Sequence, residues 1–243
     1  MSLLAIMSDI HGNLNACMSS IESLKKKDID ALLLLGDLID YGMRSNEVIE
    51  LLKELPYPVL CNIRGNHEQA MITGDYAQFS SERGRQCAQY TKSILSQNAW
   101  RYITEDMSDS GMYEFEQQGK RCLAVHGSLT DIYWKSIKPG GHDLSAYQKY
   151  DYVFSGHSHL PHYFEVFYEV DNPIYRNRKK TIFINPGSVG QPRNHNPLAQ
   201  YAILDTETET VTYEKISYNV AEEQKAYFGQ VDDFYRMRLE IGV

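Results

Sequence analysis

The sequence predicts an α/β protein, on two observations. Short apolar runs at Leu3–Met7, Ala31–Leu35 and Val59–Ile63 alternate with stretches of helical periodicity, and each run leads directly into a polar motif. From Met112 onward the pattern turns strand-like, in seven further segments.

The first helix is expected from about Asn13, where Leu14, Cys17, Met18, Ile21 and Leu24 recur at helical spacing before the basic triplet Lys25, Lys26 and Lys27, which suits a helix C-terminus. A second starts near Ser45, turns Val48, Ile49, Leu51, Leu52 and Leu55 inward and closes at Pro56. Strands alternating with helices imply right-handed crossovers and a partly parallel sheet, which places ligands beyond the carboxyl ends of its strands. Residues 68–110 read as a helical excursion: Cys87, Tyr90, Ile94 and Leu95 mark one helix and Trp100 to Ile103 the start of another. The excursion follows a polar motif directly, so its aromatic residues Tyr76, Phe79, Tyr90 and Trp100 are candidates for a stacking face over the site. The later strands are read at Met112–Phe115, Cys122–Val125, Tyr152–Phe154, Tyr163–Val170, Thr181–Ile184, Tyr201–Leu204 and Thr210–Tyr213, with a last helix from Val220 toward Phe228. No repeat or linker divides the chain, so residues 1–243 are read as one domain carrying the insertion.

Composition narrows the function. With 24 Lys+Arg against 32 Asp+Glu, a net charge of −8 opposes rather than recruits duplex nucleic acid. Any phosphate chemistry therefore needs local positive charge, from metal ions or arginine. The apolar start is too short for a membrane span and lacks the marks of a secretory signal, so no membrane association and a cytoplasmic location are expected. Cys17, Cys61, Cys87 and Cys122 are scattered without a C-x-x-C pair, as reduced buried thiols would be.

Five segments carry the chemistry: Asp9-Ile10-His11-Gly12-Asn13, Gly36-Asp37-Leu38-Ile39-Asp40, Gly65-Asn66-His67-Glu68, His126-Gly127 and Gly156-His157-Ser158-His159. They hold five of the eight histidines, all at expected strand ends. In an extended segment residues i and i+2 share a side, so Asp9 with His11, and His157 with His159, can each aim two ligands at one point. Carboxylate and imidazole without thiolate suit Mn, Fe, Co, Ni or Zn in five- or six-coordinate geometry. The neighbouring glycines permit sharp turns or close approach.

In this order the motifs resemble those of the calcineurin-like metallophosphoesterases: D-x-H, G-D-x-x-D, G-N-H-[DE], a lone His and G-H-x-H, from Ser8 to His159. The segment 185–193, NPGSVGQPR, is similar to one in the family's small bacterial and archaeal phosphodiesterase branch. The resemblance implies a four-layer α/β/β/α sandwich of two mixed sheets. It also implies two divalent metal ions, one held by Asp9, His11, Asp37 and His159, the other by Asp37, Asn66, His126 and His157, with Asp37 bridging. The implied reaction is hydrolysis of a phosphodiester or pyrophosphate-type bond by in-line attack of a metal-bridging hydroxide. Nucleotides and dinucleoside polyphosphates are among the candidate small-molecule substrates. His67 would serve the leaving oxygen as proton donor or charge stabiliser, oriented by Asp40. Arg64 and Arg193 are candidates for phosphate contact, Glu68 and Asn13 for support of the turns, and His142, His162 and His195 for solvent or loops.

One departure matters. Protein phosphatases and symmetrical diadenosine tetraphosphate hydrolases of this family carry Arg after the position of Asp40, where this chain has Tyr41, and a phenol cannot reproduce a guanidinium fork. A phosphomonoesterase is therefore the second reading, and a scaffold without catalysis the third. Inactive relatives lose ligands or the motif histidine, whereas all are present here.

Overall fold

A computed structural model describes residues 3–141 and 144–243; His142 lies outside them. Two mixed five-stranded sheets face one another. The first is built from β1 (Leu3–Met7), β2 (Ala31–Leu34), β3 (Val59–Asn62), β9 (Ala199–Asp205) and β10 (Thr210–Ile216), in the order β10-β9-β1-β2-β3. β1, β2 and β3 run parallel, while β9 joins β1 antiparallel and forms a hairpin with β10. The second contains β4 (Met112–Gln117), β5 (Lys120–Val125), β6 (Tyr152–Ser155), β7 (His162–Glu169) and β8 (Arg178–Asn185), in the order β4-β5-β6-β8-β7. Its central strands β5, β6 and β8 are parallel.

Strand alternation sorts the side chains into layers. Leu4, Ile6, Leu33 and Leu35 turn inward and meet Cys122, Ala124, Tyr152, Phe154, Ile182 and Ile184 of the second sheet. Ala5, Met7, Leu32 and Leu34 turn outward and pack with α1 (Leu14–Leu24) and α2 (Ser45–Lys53). On the outer face of the second sheet, Leu123, Val125, Val153 and Phe183 pack with Ile137, Tyr147 and Tyr150 of the segment after β5, whose one regular element among the described residues is a 3-10 turn at Ser145–Tyr147. Among the described residues that layer holds no α-helix, and Ile137, Tyr147 and Tyr150 pack into the sheet from turns.

In α1, Asn13 caps the first turn through Oδ1 to the Ala16 N–H (3.1 Å), and Ala16, Cys17, Ser20, Ile21 and Leu24 are buried. Met18, expected on that stripe, is 50% exposed, because the buried face runs through residues 17, 20, 21 and 24. The excursion comprises α3 (Asn66–Thr73), α4 (Glu82–Ile94), α5 (Gln97–Arg101) and a π-helical turn at Tyr102–Asp106. Its buried residues Met71, Ala88, Ala99 and Ile103 belong to the same cluster as α1 and α2, so it extends the helical layer instead of standing apart from it. Sequence reading did not separate out α3, which starts inside the third motif, or α7 (Phe234–Ile241), which follows the short α6 (Val220–Gln224). The final helix expected toward Phe228 ends at Gln224, and Phe228 is exposed. Among the described residues no helix is long and apolar enough to cross a membrane.

Candidate metal centre

All five motifs leave the carboxyl ends of parallel strands on one rim, where sheets of this kind place ligands. The backbone there is unusual. Asp9 (φ 53), His11 (φ 48), Asp37 (φ 51), Asp40 (φ 73), His157 (φ 63) and His159 (φ 56) are all left-handed. The ligand pairs therefore converge through left-handed kinks and not through the extended alternation that the i, i+2 spacing suggested. Asp and His tolerate this region better than most residues, and such conformations persist where surrounding bonds over-determine them. The bonds are present: Asp9, His11 and Gly12 donate their backbone N–H to the carbonyls of Gly36, Asp37 and Leu38.

Glu68 ties the second loop to the third. Fully buried, it accepts from the backbone N–H groups of Asp37 (2.9 Å), Leu38 (2.7 Å), Ile39 (3.3 Å) and Gly65 (2.7 Å). Gly65 is required for the same approach, because a Cβ there would stand 2.1 Å from Asp37 Oδ1. Asn13 has a comparable role across the cleft, donating to the Gly190 carbonyl at 2.9 Å. Both residues hold turns, as their motif positions suggested.

Two groups of ligand atoms result: Asp9, His11, Asp37 and His159, and Asp37, His126 and His157. Asn66 joins the second, its Oδ1 lying 3.0 Å from His126 Nε2 and 2.9 Å from His157 Nδ1. Asp37 is shared. Its Oδ1 accepts the His67 backbone N–H (2.9 Å), while its Oδ2 faces His126 Nε2 at 3.2 Å and His11 Nε2 at 3.7 Å.

The far nitrogens of the rings define what the near ones present. His11 Nδ1 reaches the Ile39 carbonyl (3.3 Å), His159 Nδ1 the Gln191 carbonyl (2.6 Å) and His126 Nδ1 the Leu35 carbonyl (2.7 Å), while His157 Nε2 reaches the Trp134 carbonyl (3.1 Å). A ring that donates from one nitrogen in its neutral form offers a lone pair at the other. His11 Nε2 and His159 Nε2, 3.2 Å apart, then face each other lone pair to lone pair, and buried Asp9 Oδ1 beside them has no hydrogen-bond partner. Acceptors converging on one another without donors fit a cation between them, so this set could bind metal ions.

The electrostatics separate His126, whose charged form Asp37 favours, from His11, His157 and His159, whose neutral form burial favours. Burial pushes Asp9 up to about 7, and the Asp37 charge adds to it. Asp37 is held well below the usual carboxylate range: burial opposes this, but the charges of His126, His67 and His11 outweigh it. His126 is raised to about 9 despite burial by the Asp37 charge, whereas burial lowers His157 to about 4 and takes His11 and His159 well below the ordinary value.

His67 stands outside both groups. Its Nδ1 lies 2.6 Å from Asp40 Oδ2, and its Nε2 points toward Asp37 Oδ2 at 3.9 Å. Burial acts against its protonation, but the Asp37 charge and the Asp40 hydrogen bond raise its pKa. Asp40 in turn accepts from Thr91 Oγ at 2.8 Å, a buried threonine on α4 that sequence reading missed. The available signal was a hydroxyl four residues after Cys87 on an otherwise apolar face. Thr91→Val should lower turnover by about 3- to 10-fold, the effect of losing roughly 1 kcal/mol of orientation, with metal content unchanged. Steady-state kinetics beside elemental analysis check this, and an unchanged turnover would show that the bond does no orienting.

A cleft of about 670 Å³ opens over these residues. Arg193 lines it, its Nε buried without a partner, but Arg64 does not. The Arg64 guanidinium is taken up by the carbonyls of Ile103 (2.8 Å), Thr104 (2.7 Å) and Asp109 (3.2 Å), so it fastens the end of the excursion rather than reaching for phosphate. Of the four candidate aromatics of the excursion only Phe79 lines the cleft, edge-on to His67 at 5.0 Å; Trp100 packs against the helical core. Tyr41 sits between His11 (4.7 Å) and Tyr235 (4.6 Å, stacked), which brings α7 to the rim. His162 bonds the Leu160 carbonyl and His195 is exposed; neither lines the cleft.

Residues 1–209 match the model of the calcineurin-like phosphoesterase superfamily domain. The chain belongs to this family. Among similar proteins, phosphodiesterase YfcE of Escherichia coli is 26% identical over 219 residues, covering 87% of this chain and 91% of that one. Protein MJ0912 of Methanocaldococcus jannaschii is 28% identical over 233 residues, covering 93% and 90%. The crystal structure of a metallophosphoesterase from Sphaerobacter thermophilus superposes with a TM-score of 0.77 at 25% identity, covering 100% of this chain and 99% of that one. This calcineurin-like phosphoesterase is thus a metal-dependent hydrolase of phosphoesters.

Proposed function

We propose that this calcineurin-like phosphoesterase holds two divalent metal ions and hydrolyses a phosphodiester or pyrophosphate-type bond of a small molecule, nucleotides and dinucleoside polyphosphates being the leading candidates. The observation that carries this reading is Asp37, whose Oδ2 faces both groups of acceptors. Asp9, His11, Asp37 and His159 would hold one ion, and Asp37, Asn66, His126 and His157 the other; Mn, Fe, Zn, Ni or Co suits the donors. When bound, such ions neutralise the phosphoryl oxygens and lower the pKa of a water. Hydrolysis then forms a bond from phosphorus to the water oxygen and breaks the bond to the leaving oxygen.

The chain's own contribution is to the leaving side. His67, locked by Asp40 through Nδ1 and walled by Tyr41 and Phe79, presents Nε2 to the cleft as the donor of a proton to the departing oxygen. Arg193 contacts the phosphate from the rim. Arg64 is spent on carbonyls and has no part in this reading.

The phosphomonoesterase reading has one observation in its favour: a yeast protein phosphatase 4 catalytic subunit (Saccharomyces cerevisiae) is 31% identical over 128 residues. Tyr41 weighs against it, occupying the clamp position with a ring stacked on Tyr235. The scaffold reading is opposed by the complete set of acceptors. Two further readings belong with this one. The inner core drawn from both sheets supports treating the chain as one unit, and the four buried free cysteines accord with a cytoplasmic location.

The test is turnover of nitrophenyl phosphomonoester, bis-nitrophenyl phosphate and diadenosine tetraphosphate with Mn, Ni, Co, Zn or Mg. Turnover of one or both of the latter two above the monoester is expected. Preference for the monoester would favour the phosphatase, and no turnover of any would favour the scaffold.

A further inference from the structure

The wall of the cleft away from the metal ligands has a composition that the phosphoryl site alone does not explain. Arg83, Arg193 and Arg238 line it, and the one acidic residue beside them is Asp37, already claimed by the metal groups. Among the described residues none of the three arginines forms an ion pair with an Asp or Glu side chain, on a chain whose net charge is −8; Arg238 Nε donates to the Val243 oxygen, and its two terminal nitrogens have no protein partner. Guanidinium groups gathered in a cleft without acidic side chains beside them repel one another and persist where an anion offsets them. Arg238 is 8% exposed, and it is close enough to Arg193 for the two charges to oppose each other.

A single ring organises two of them. The Arg83 guanidinium carbon lies 4.0 Å from the centroid of Phe234, and that of Arg238 lies 4.9 Å from it. Stacking on an aromatic face orients a guanidinium while leaving its N–H edges free for a planar or tetrahedral oxyanion. Arg83 comes from α4 of the excursion; Phe234 and Arg238 come from α7, beyond the residues matched by the family model. Two elements peripheral to the metal loops thus meet at one anionic subsite.

Resting on the function proposed above, we infer that Arg83 and Arg238, set by Phe234 and lying beside Arg193, bind a second phosphate of the substrate, so that this hydrolase is selective for phosphoesters whose leaving group is itself phosphorylated. The bond broken is the one already named, between the phosphorus at the metal site and the leaving oxygen; the guanidinium groups hold the phosphate beyond it. A second phosphate within the same chain of anhydrides and one elsewhere on the leaving group share this chemistry. Diadenosine tetraphosphate and a nucleoside 3′,5′-bisphosphate diester separate the two as substrates.

The experiment compares wild type, Arg83→Ala and Arg238→Met on diadenosine tetraphosphate, the bisphosphate diester and bis-nitrophenyl phosphate, and measures pyrophosphate and phosphate binding to the metal-loaded protein by calorimetry. The expected result is a rise in KM of about 10- to 100-fold on a doubly phosphorylated substrate, at least ten times the change on bis-nitrophenyl phosphate. The wild-type preference for pyrophosphate over phosphate should shrink by a similar factor. Arg83 is exposed, so its variant keeps the test valid if Arg238→Met folds poorly. Equal penalties on all substrates, or equal affinities of wild type for pyrophosphate and phosphate, would overturn the inference while leaving the hydrolase reading intact. If no substrate is turned over, the hydrolase reading fails, and the pyrophosphate preference still decides the subsite.

Discussion

Asp37→Asn is expected to lose both metal ions and to reduce turnover by at least about 10³-fold, because several kcal/mol of charge stabilisation depend on the two ions together. Asp37 is the residue common to both acceptor groups, whereas Asp9 belongs to one. The asparagine retains an oxygen for the His67 backbone N–H that Asp37 Oδ1 now accepts at 2.9 Å, so the loop keeps its anchor and the chain its fold. Asp9→Asn should weaken one site and spare most of the other. Metal content after saturation with Mn and removal of excess, beside circular dichroism, checks both variants. Undisturbed stoichiometry in Asp37→Asn would remove it from the bridging position.

His67→Ala should retain its metals and lose turnover by about 10²- to 10⁴-fold on a substrate with an alkoxide-like leaving group, the usual range for a general acid. On nitrophenolate, which leaves readily as an anion, the loss should be smaller. Asp40→Asn should reproduce part of this pattern, since it removes the 2.6 Å carboxylate contact to Nδ1 and lowers the preference for the protonated ring, which the Asp37 charge still supports. Turnover at saturating metal on the two leaving-group classes decides the matter. An identical proportional loss on both, or a lost metal equivalent in His67→Ala, would assign His67 another role.

The strands and the five motif loops were legible because their signals are local. Five of the strand segments end in a motif whose residue types specify the chemistry, and all ten strands fall at the segments read as strands. What escaped depends on tertiary contacts. The left-handed kinks at Asp9 and His11 are held by backbone bonds to the second loop, and those at His157 and His159 accompany bonds to Asp9 Oδ2 and to the Gln191 carbonyl, so spacing alone suggested an extended pair. Arg64 precedes Asn66 in sequence, but its guanidinium is drawn to carbonyls some forty residues away at Ile103 and Thr104. Thr91 reaches Asp40 only because α4 packs under the second loop, and a hydroxyl within a helix carries no mark of such a partner. The aromatic and arginine wall was the least visible, since α7 is eight residues long and its role appears only when Phe234 meets Arg83.

The central claim is that two ions, both required, sit on the shared carboxylate of Asp37. Titrating metal-free protein with Mn while following bound metal and turnover of bis-nitrophenyl phosphate tests it most directly. Two equivalents per chain, with activity appearing as the second binds, is the predicted result; saturation at one equivalent, or full activity before the second is bound, would contradict it.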